Sequence, residues 1–293
     1  MRFHWGSMEP VMPVPYVPTL GPVHPDSPMA DLFDAVVDVA GNGRFLPYDK
    51  DRRWSAVKAE HVLAGDVHQD VDQTLIPTLA DSGRRTVKVH VYGQRPDSLT
   101  ASADLARKLA ATHGAGTARI VWFLGPDQPE EYAAGVGTRV QLKDFTSPGP
   151  EAPPHAEVRP YDDQPDTVRE TFAAFAEDMK ADGFAFLRGR MRAGTVGPVL
   201  TVAHDGAVAG AIGPMETITD AAGRCQLLPQ YFGVLPAHRS HGYGRALWRA
   251  AMNWGRDNGA MYQLLQTEVA GASDRLCQSE GLASLGYVCT LTL

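Results

Sequence analysis

Seven residues, from Arg239 to Arg245, combine two cationic side chains with two glycines. Gly242 and Gly244 lack a Cβ atom, so the backbone at these positions can come close to a bound group. Backbone N–H groups at a turn that leads into a helix attract anions, because they have no partner in the helix and the helix dipole is positive there. The two arginines add to this positive charge. The stretch therefore predicts a site for a pyrophosphate group.

The residues on both sides of this stretch predict the elements that position it. Before it, the apolar run from Leu227 to Val234 predicts a strand, which ends at Pro236 because proline cannot donate to a sheet. After it, apolar residues recur at helical spacing, at Leu247, Ala250, Ala251 and Trp254. The pattern is not a Walker loop, since no Gly-Lys-Ser/Thr follows. It is not a dinucleotide-binding fingerprint either, since G-x-G-x-x-G is absent.

The strand, turn and helix together resemble the acyl-CoA loop of the GNAT superfamily of N-acetyltransferases, whose signature is Val-x-Pro-x-x-Arg-x-x-Gly-x-Gly/Ala. The fixed positions are all matched, by Val234, Pro236, Arg239, Gly242 and Gly244. The resemblance implies an N-acyltransferase that uses acetyl-CoA, or another acyl-CoA, as co-substrate and needs no metal. The alternative is an ordinary strand–helix turn in which the glycines occur by chance.

The resemblance extends over residues 156–293 and implies an α/β fold there. This is the GNAT fold, a mixed and splayed central sheet flanked by helices. In the family, the fourth and fifth strands part, and the freed backbone groups pair with the pantetheine arm. Val234 N–H is then placed to polarise the thioester carbonyl. The CoA-binding residues implied in this way are Phe232, Gly233, Val234, Arg239, Ser240, His241, Gly242, Tyr243, Gly244 and Arg245.

The general base is not identified by the resemblance. Many family members carry a glutamate on the fourth strand, where this chain has Gln226, Leu228 and Gln230. An alkylammonium group has a pKa of about 10.4 and must lose a proton before it attacks, so an acceptor is needed. By topology the nearest acids are Glu216, predicted at the end of the third strand, and Glu268, at the end of the fifth. Each is alternatively a solvated or paired surface acid, and a water chain is a further alternative.

The acid that protonates the departing thiolate also differs from the family pattern. The family has a tyrosine in its last motif, and the aligned position here holds Cys277. A thiol, with a pKa of about 8.5, can donate a proton to the CoA thiolate. The alternative is a buried helical cysteine that acts as a small hydrophobic residue. Tyr231 and Tyr287 are the other candidate donors.

The composition is that of a globular protein, with 44% hydrophobic and 21% charged residues. A formal net charge of −7 argues against nucleic acid as the main partner and suits a cationic substrate such as an amine. No apolar run is long enough to cross a bilayer, so no membrane partner is expected. Three cysteines without a C-x-x-C motif, and no signal-peptide pattern, predict a cytoplasmic location. The sequence does not indicate an oligomeric state.

Composition shifts divide the chain into a proline-rich arm (1–30), an N-terminal α/β domain (31–148), a linker (149–155) and an acyl-CoA-binding domain (156–293). The prolines exclude a regular helix in the arm, which is expected to wrap the surface as an extended segment or to stay disordered. The N-terminal domain repeats the order strand, helix, strand found around the turn. It is therefore either a degenerate GNAT repeat, without R-x-x-G-x-G, or an unrelated α/β domain.

Periodicity predicts the elements of both halves. In the N-terminal half, helices are predicted at 29–39, 54–63 and 100–113, and strands at 85–92 and 118–124. The alternation in strand 85–92 places His90 and Tyr92 on a polar, solvated face. In the C-terminal half, strands are predicted at 156–161, 199–203, 207–212, 227–234, 262–269 and 286–293, and helices at 166–179, from the turn to 258, and at 273–279. Asp205-Gly206 predicts a type I′ hairpin turn.

The expected reaction is direct acyl transfer, in a ternary complex, to the primary amine of a small molecule such as a metabolite, an amino sugar or an antibiotic. The amine is expected in a cleft between the GNAT sheet and the N-terminal half. A peptide or protein N-terminus is an alternative acceptor. Two other functions stay open. The protein is a non-catalytic acyl-CoA sensor or regulatory module, since the usual glutamate and tyrosine are missing, or an aminoacyl-tRNA-dependent transferase, which would need a basic surface.

Overall fold

The computed structural model describes residues 3–81, 83–93, 98–146 and 156–293. The predicted linker, residues 149–155, lies outside these ranges. The chain forms two compact units. Unit 1 contains Met1–Lys143 and Leu264–Leu293, and unit 2 contains Asp144–Gln263. The last part of the chain therefore folds with unit 1, although the sequence analysis assigned it to the acyl-CoA-binding domain.

The helices in the described residues are α1 Trp5–Met8, α2 Met29–Asp38, α3 Ser98–Thr112, α4 Asp166–Asp178, α5 Phe184–Arg192, α6 Tyr243–Asp257 and α7 Ala272–Ser279. The strands are β1 Tyr16–Val17, β2 Gly21–Pro22, β3 Glu60–Val62, β4 His68–Gln69, β5 Gln73–Ala80, β6 Thr86–Gly93, β7 Thr117–Leu124, β8 Gly137–Asp144, β9 Val158–Pro160, β10 Leu200–His204, β11 Ala207–Gly213, β12 Thr217–Thr219, β13 Cys225–Leu227, β14 Tyr231–Val234, β15 Tyr262–Glu268 and β16 Ala283–Thr292. Within the described ranges, no helix is long and apolar enough to cross a membrane. Helices and strands occur in both units, so the mixed α/β class is confirmed.

Unit 1 is built on a mixed sheet in the order β15-β8-β16-β7-β6-β5-β3, with β4 beside β5. Strands β6 and β7 run parallel and are joined by α3, while β5 and β16 run antiparallel to their neighbours β6 and β7. Helix α3 covers one face, where Val87, Val89 and Val91 of β6 pack against Ala106 and Leu109. The predicted helix 100–113 and strands 85–92 and 118–124 are therefore confirmed.

The other face of β6 is not solvated, contrary to the sequence prediction. His90 and Tyr92 are buried, and the arm residue Tyr16 lies against His90 with 5.9 Å between ring centroids. The Tyr92 hydroxyl donates to the Tyr16 carbonyl at 2.8 Å. The alternation of residue types is real, but the polar side chains find partners in the arm in place of water.

The arm itself differs from the expectation of a surface segment. Helix α1 is only one turn long, as the prolines require. However, Met8, Val14 and Val17 are completely buried, so apolar residues between the prolines enter the core of unit 1. An extended chain can bury side chains without making helical hydrogen bonds.

The predicted helix 54–63 is wrong. Residues Lys50–Arg53 form a short 3-10 helix, and Glu60–Val62 form the edge strand β3, which pairs with β5. Val62 is buried opposite Thr78. Strand β5 was not predicted, and without its partner the segment around Val62 had no local feature typical of a strand.

Unit 2 contains a four-stranded antiparallel sheet in the order β14-β11-β10-β9. Helices α4 and α5 form a cluster with it that includes Phe172, Phe175 and Phe184. The β10–β11 hairpin is confirmed: its turn residues Asp205 and Gly206 have φ angles of 48° and 79°, as a type I′ turn requires.

The strand predicted at 227–234 is two strands. Strand β13 pairs in parallel with the beginning of β15, through Gln226 opposite Tyr262 and Leu227 opposite Gln263. Strand β14 instead pairs with β11. The break contains Pro229, which cannot donate to a ladder. The chain therefore leaves one strand neighbour for another at this point, which is the splaying expected of the fold.

Candidate active site

The free edge of β14 presents main-chain donors. β14 ends the four-stranded sheet, and Leu235 N donates to Ala209 O at 2.9 Å. In an antiparallel ladder, hydrogen-bonded and non-bonded pairs alternate. Gly233 therefore bonds to Ala211, whereas the N–H groups of Phe232 and Val234 are directed away from β11. These are the two amides that can pair with an added extended ligand.

The turn after β14 leads directly into a helix N-terminus. Ser240 and Gly242 have φ angles of 66° and 79°, both in the left-handed region. Helix α6 begins at Tyr243, and Gly242 is its N-cap, so no side chain caps the first turn. The first turn also contains no acidic residue. A long helix with this uncapped end is a suitable site for a phosphate group.

Gly244 brings the helix and the strand edge together. A Cβ atom at this position would lie 3.4 Å from Phe232 Cζ and 3.9 Å from Val234 Cγ2. The first turn of α6 therefore packs on the same two residues whose amides face the edge of β14. The first turn of α6 and the edge of β14 thus lie side by side in unit 2.

Positive charge surrounds the turn. Arg239 and Arg245 are exposed, and so are Ser240 and His241. The His241 ring is held by a contact of 2.8 Å between its Nδ1 and the Arg239 carbonyl oxygen. An anion in the turn would be within reach of these side chains without displacing a buried group.

A cluster of histidines beside the turn was missed by the sequence analysis. His204, from the β10–β11 hairpin, lies 2.7 Å through Nδ1 from the Tyr243 hydroxyl, and its ring centroid is 4.8 Å from that of His238. His241 stacks on Tyr243 at 5.7 Å. The sequence indicates only the turn residues of this group, because His204 is distant in the chain and the β10–β11 hairpin places it beside Tyr243. In the part of the chain that the structure describes, no group of three or more His, Cys, Asp or Glu is arranged to hold a metal.

The two candidate residues of unit 2 differ in their surroundings. Tyr231 lies on β14 with its ring 6.2 Å from that of Phe186 and 6.4 Å from that of Phe184. Glu216 is half-buried, and its Oε1 accepts a hydrogen bond from Gly197 N at 3.1 Å. This engagement favours the alternative in which Glu216 is a paired, structural acid.

The other two candidates belong to unit 1. Glu268 is exposed at the end of β15. Cys277 on α7 is 2% exposed, and burial, together with the nearby charges of Asp274 and Glu280, raises the pKa of its thiol to about 12. This burial favours the reading of Cys277 as a small hydrophobic core residue.

Tyr287, the further candidate donor, is part of a buried ionic network that the sequence did not indicate. Arg139 donates to its hydroxyl at 2.7 Å and to Asp274 Oδ1 at 2.9 Å. Asp274 is fully buried and also accepts from Gln141 and Thr267. The tyrosine hydroxyl is thus held by a permanent cation in the interior of unit 1.

A pair of glutamines lies where β13 and β14 separate. Gln263 Nε2 donates to Gln230 Oε1 at 2.8 Å and to the Leu228 carbonyl at 3.3 Å. Gln263 is buried, and its own Oε1 has no hydrogen-bond partner among the described residues. The sequence analysis treats Gln230 only as a position without a carboxylate. In the structure its side chain joins β15 to the segment between β13 and β14.

Comparison with known families supports the resemblance found in the sequence. Residues 161–276 match the model of the acetyltransferase (GNAT) family. This segment contains the strand edge, the turn and α6. The match supports a transferase, and acyltransferase activity in general. No curated protein matches the chain.

Several solved structures are similar to the chain at low identity. A GCN5-related N-acetyltransferase from Sphaerobacter thermophilus is 14% identical, with 77% of this chain and 82% of that chain covered and a TM-score of 0.47. A tandem GNAT protein from the clavulanic acid biosynthesis pathway is 17% identical, with 76% and 78% covered and a TM-score of 0.46. A GCN5-related N-acetyltransferase from Kribbella flavida is 15% identical, with 78% and 90% covered and a TM-score of 0.42. At these identities and scores, the likenesses say nothing of the ligand or substrate of this chain.

Proposed function

We propose, from the GNAT acetyltransferase domain at residues 161–276, that the protein is an acyl-CoA-dependent N-acyltransferase. Acetyl-CoA is the proposed co-substrate, and the acceptor is the primary amine of a small molecule such as a metabolite, an amino sugar or an antibiotic. Transfer is direct, without an acyl-enzyme. The domain division at residues 149–155 and the degenerate repeat in the N-terminal half remain predictions.

One observation carries the proposal. The uncapped N-terminus of α6 packs through Gly244 on the free edge of β14. The helix end suits a diphosphate, and the strand edge suits an extended amide-containing chain. CoA has both groups in this order, so the surface fits it. A molecule with a phosphate but no extended arm would use only half of the surface.

The residues of this surface have separate roles in the proposed reaction. The amides of the first turn of α6, with Arg239 and Arg245, hold the diphosphate. The Phe232 and Val234 N–H groups hold the pantetheine arm. Val234 N–H is also the donor available to polarise the acyl carbonyl. Because β14 fixes this N–H group in place, it need not reorganise during the reaction. Bound acyl-CoA supplies the activated acyl group as a thioester.

For proton transfer we propose that a water chain is the acceptor. The Glu216 carboxylate already accepts from Gly197, and Glu268 lies in unit 1. For the proton donor we propose Tyr231 in preference to Cys277, because Tyr231 lies on β14 itself and Cys277 is buried.

A thiol-release assay tests this function. Acetyl-CoA is mixed with the protein and a panel of primary amines, and free CoA is measured with a disulfide reagent. We expect release that depends on the amine, and no release with tertiary amines of similar size, which have no N–H to replace. Calorimetric binding of acetyl-CoA without release by any amine would instead favour the sensing module. Binding of charged tRNA without binding of acetyl-CoA would favour the aminoacyl-tRNA-dependent transferase.

A further inference from the structure

A cavity of about 400 Å³ lies in unit 1, on the sheet face that the arm covers only in part. Tyr16 of the arm forms one wall, and strands from β6 to β15 form the floor. A cavity of this size can hold a small metabolite. Among the described residues that line it, only three carry a charged side chain: Lys88, Arg119 and Glu268.

The two cations occupy one end of the cavity. Lys88 and Arg119 are register partners on the parallel strands β6 and β7, so their side chains stand next to each other. Lys88 Nζ is bound to Glu60 Oε2 at 2.9 Å, and Thr78 Oγ1 donates to the same carboxylate at 2.8 Å. Burial alone would raise the pKa of Glu60, but the charges of Lys88 and His90 and the hydrogen bonds from Lys88 and Thr78 together outweigh it, so the pKa is lowered. The charge of Lys88 is therefore matched by Glu60.

Arg119 is different, because part of its guanidinium has no acceptor. Its Nε atom is buried and makes no hydrogen bond among the described residues. Arginine is always charged, and its N–H groups form a planar fork that matches a carboxylate. Arg119 lines the cavity. Because Glu60 already matches the charge of Lys88, the permanent charge of Arg119 favours an anionic group at this end.

The acid lies at the opposite end. Glu268 is exposed on β15, beside Gln266, which donates to Thr138 Oγ1 at 3.0 Å. From β7 to β15 there are three strand steps in the sheet order, or about 14 Å between backbones. The side chains of Arg119 and Glu268 point to the same cavity and shorten this gap. Threonine and valine side chains line the space between them.

We infer that this cavity binds a small zwitterion, with its carboxylate on Arg119 and its ammonium group near Glu268. The Glu268 carboxylate would repel a polyanion. A simple amine would leave the Arg119 guanidinium without an anionic partner. An ω-amino acid of a few carbons has both charges at the required ends. The inference concerns binding in unit 1 and does not depend on the proposed acyl transfer.

Calorimetry with the full chain, in the absence of CoA, tests the inference. The probes are γ-aminobutyrate and ε-aminocaproate, and the matched controls are butyrate and butylamine, which each carry one of the two charges. We expect at least one amino acid to bind about tenfold more tightly than either control, as a charged hydrogen bond at each end implies. Equal affinities for all four probes, or no binding of either amino acid, would overturn the inference.

Two variants locate the probe. Arg119→Gln should weaken binding of the amino acid about tenfold, while Arg107→Gln, on the exposed side of α3 and paired with Asp104, should leave it unchanged. Glu268→Gln is at an exposed rim position and tests the ammonium end even where Arg119→Gln unfolds. Unchanged affinity in Glu268→Gln, with unchanged affinity in a folded Arg119→Gln, would exclude this cavity. Because no acyl group is involved, failure here leaves the thiol-release result untouched.

Discussion

At Val234, the side chain and the main chain have separate tasks. The side chain packs near Gly210 and Gly244, whereas the N–H group is directed away from the sheet. The proposed chemistry uses only the N–H group. The two can therefore be separated by substitution, which is rarely feasible for a main-chain donor.

Val234→Pro removes the N–H group at an edge position, where no ladder bond of β14 is lost. We expect turnover with acetyl-CoA to fall about 10²- to 10³-fold, the effect of removing one preorganised donor to a developing oxyanion. Steady-state rates from the thiol-release assay give this value. The control is Val234→Ala, which shortens the side chain but keeps the donor and should stay close to the wild type. If both variants lose the same activity, the side chain and not the amide matters.

Single residues also show what sequence alone can predict. The turn from Arg239 to Gly244 and the hairpin pair Asp205-Gly206 were predicted because their conformations depend on local residue types. The contact of His204 with Tyr243 and the Arg139–Asp274 pair join residues far apart in the chain. No local pattern contains such pairs, so they had to be found in the structure.

At the level of elements, several amphipathic helices were predicted because their period is local, whereas α5 was not predicted and the helix predicted at 54–63 is absent. Helices α2, α3, α4 and α6 end within two residues of the predicted positions. Strands β3, β5 and β8 were not predicted, since each is specified by a partner elsewhere in the chain. Residues 227–234 have the residue types of a strand, as predicted, but the chain changes its strand partner around Pro229.

The arm is the element for which the structure changes the expectation most. Because Met8 is fully buried, we expect Met8→Ala to lower the free energy of unfolding by about 2–5 kcal/mol, the usual effect of removing a buried methionine. Urea unfolding of the full chain measures it. Val71→Ala, at a residue that is 82% exposed, is the control and should change stability by less than about 0.5 kcal/mol. Equal, small effects would show that the arm is only loosely attached.

At the level of the whole molecule, one buried histidine links folding to pH. Burial lowers the pKa of His90 to about 4, although Glu60 acts in the opposite direction. In the unfolded chain, histidine has a pKa of about 6.5. As the pH falls, the histidine is therefore protonated in the unfolded state before it is protonated in the folded state. The contribution of neutral His90 to the free energy of unfolding is complete above pH 6.5 and is lost between pH 6.5 and about pH 4.

We accordingly expect the protein to be less stable at pH 5 than at pH 7, and a His90→Gln variant to lose part of this dependence. The difference between the folded and unfolded pKa values limits the His90 contribution to the free energy of unfolding to about 3 kcal/mol. Thermal or urea unfolding at several pH values measures it. His68→Gln, at an exposed position on β4, is the control and should keep the slope of the wild type. A His90 variant with an unchanged slope would assign the pH dependence to other groups.

The central claim, that the turn before α6 holds the diphosphate of an acyl-CoA, is tested most directly by calorimetric titration of acetyl-CoA into two glycine variants. Gly242 and Gly259 flank the same helix, both have a φ of 79°, and a Cβ at either would meet nothing within 4 Å. Gly242→Ala and Gly259→Ala therefore carry similar backbone strain, but only the first adds a methyl group where the phosphate is proposed to lie. We predict that Gly242→Ala weakens acetyl-CoA binding at least about tenfold while Gly259→Ala binds as the wild type does. Equal affinity in the two variants would contradict the proposed site.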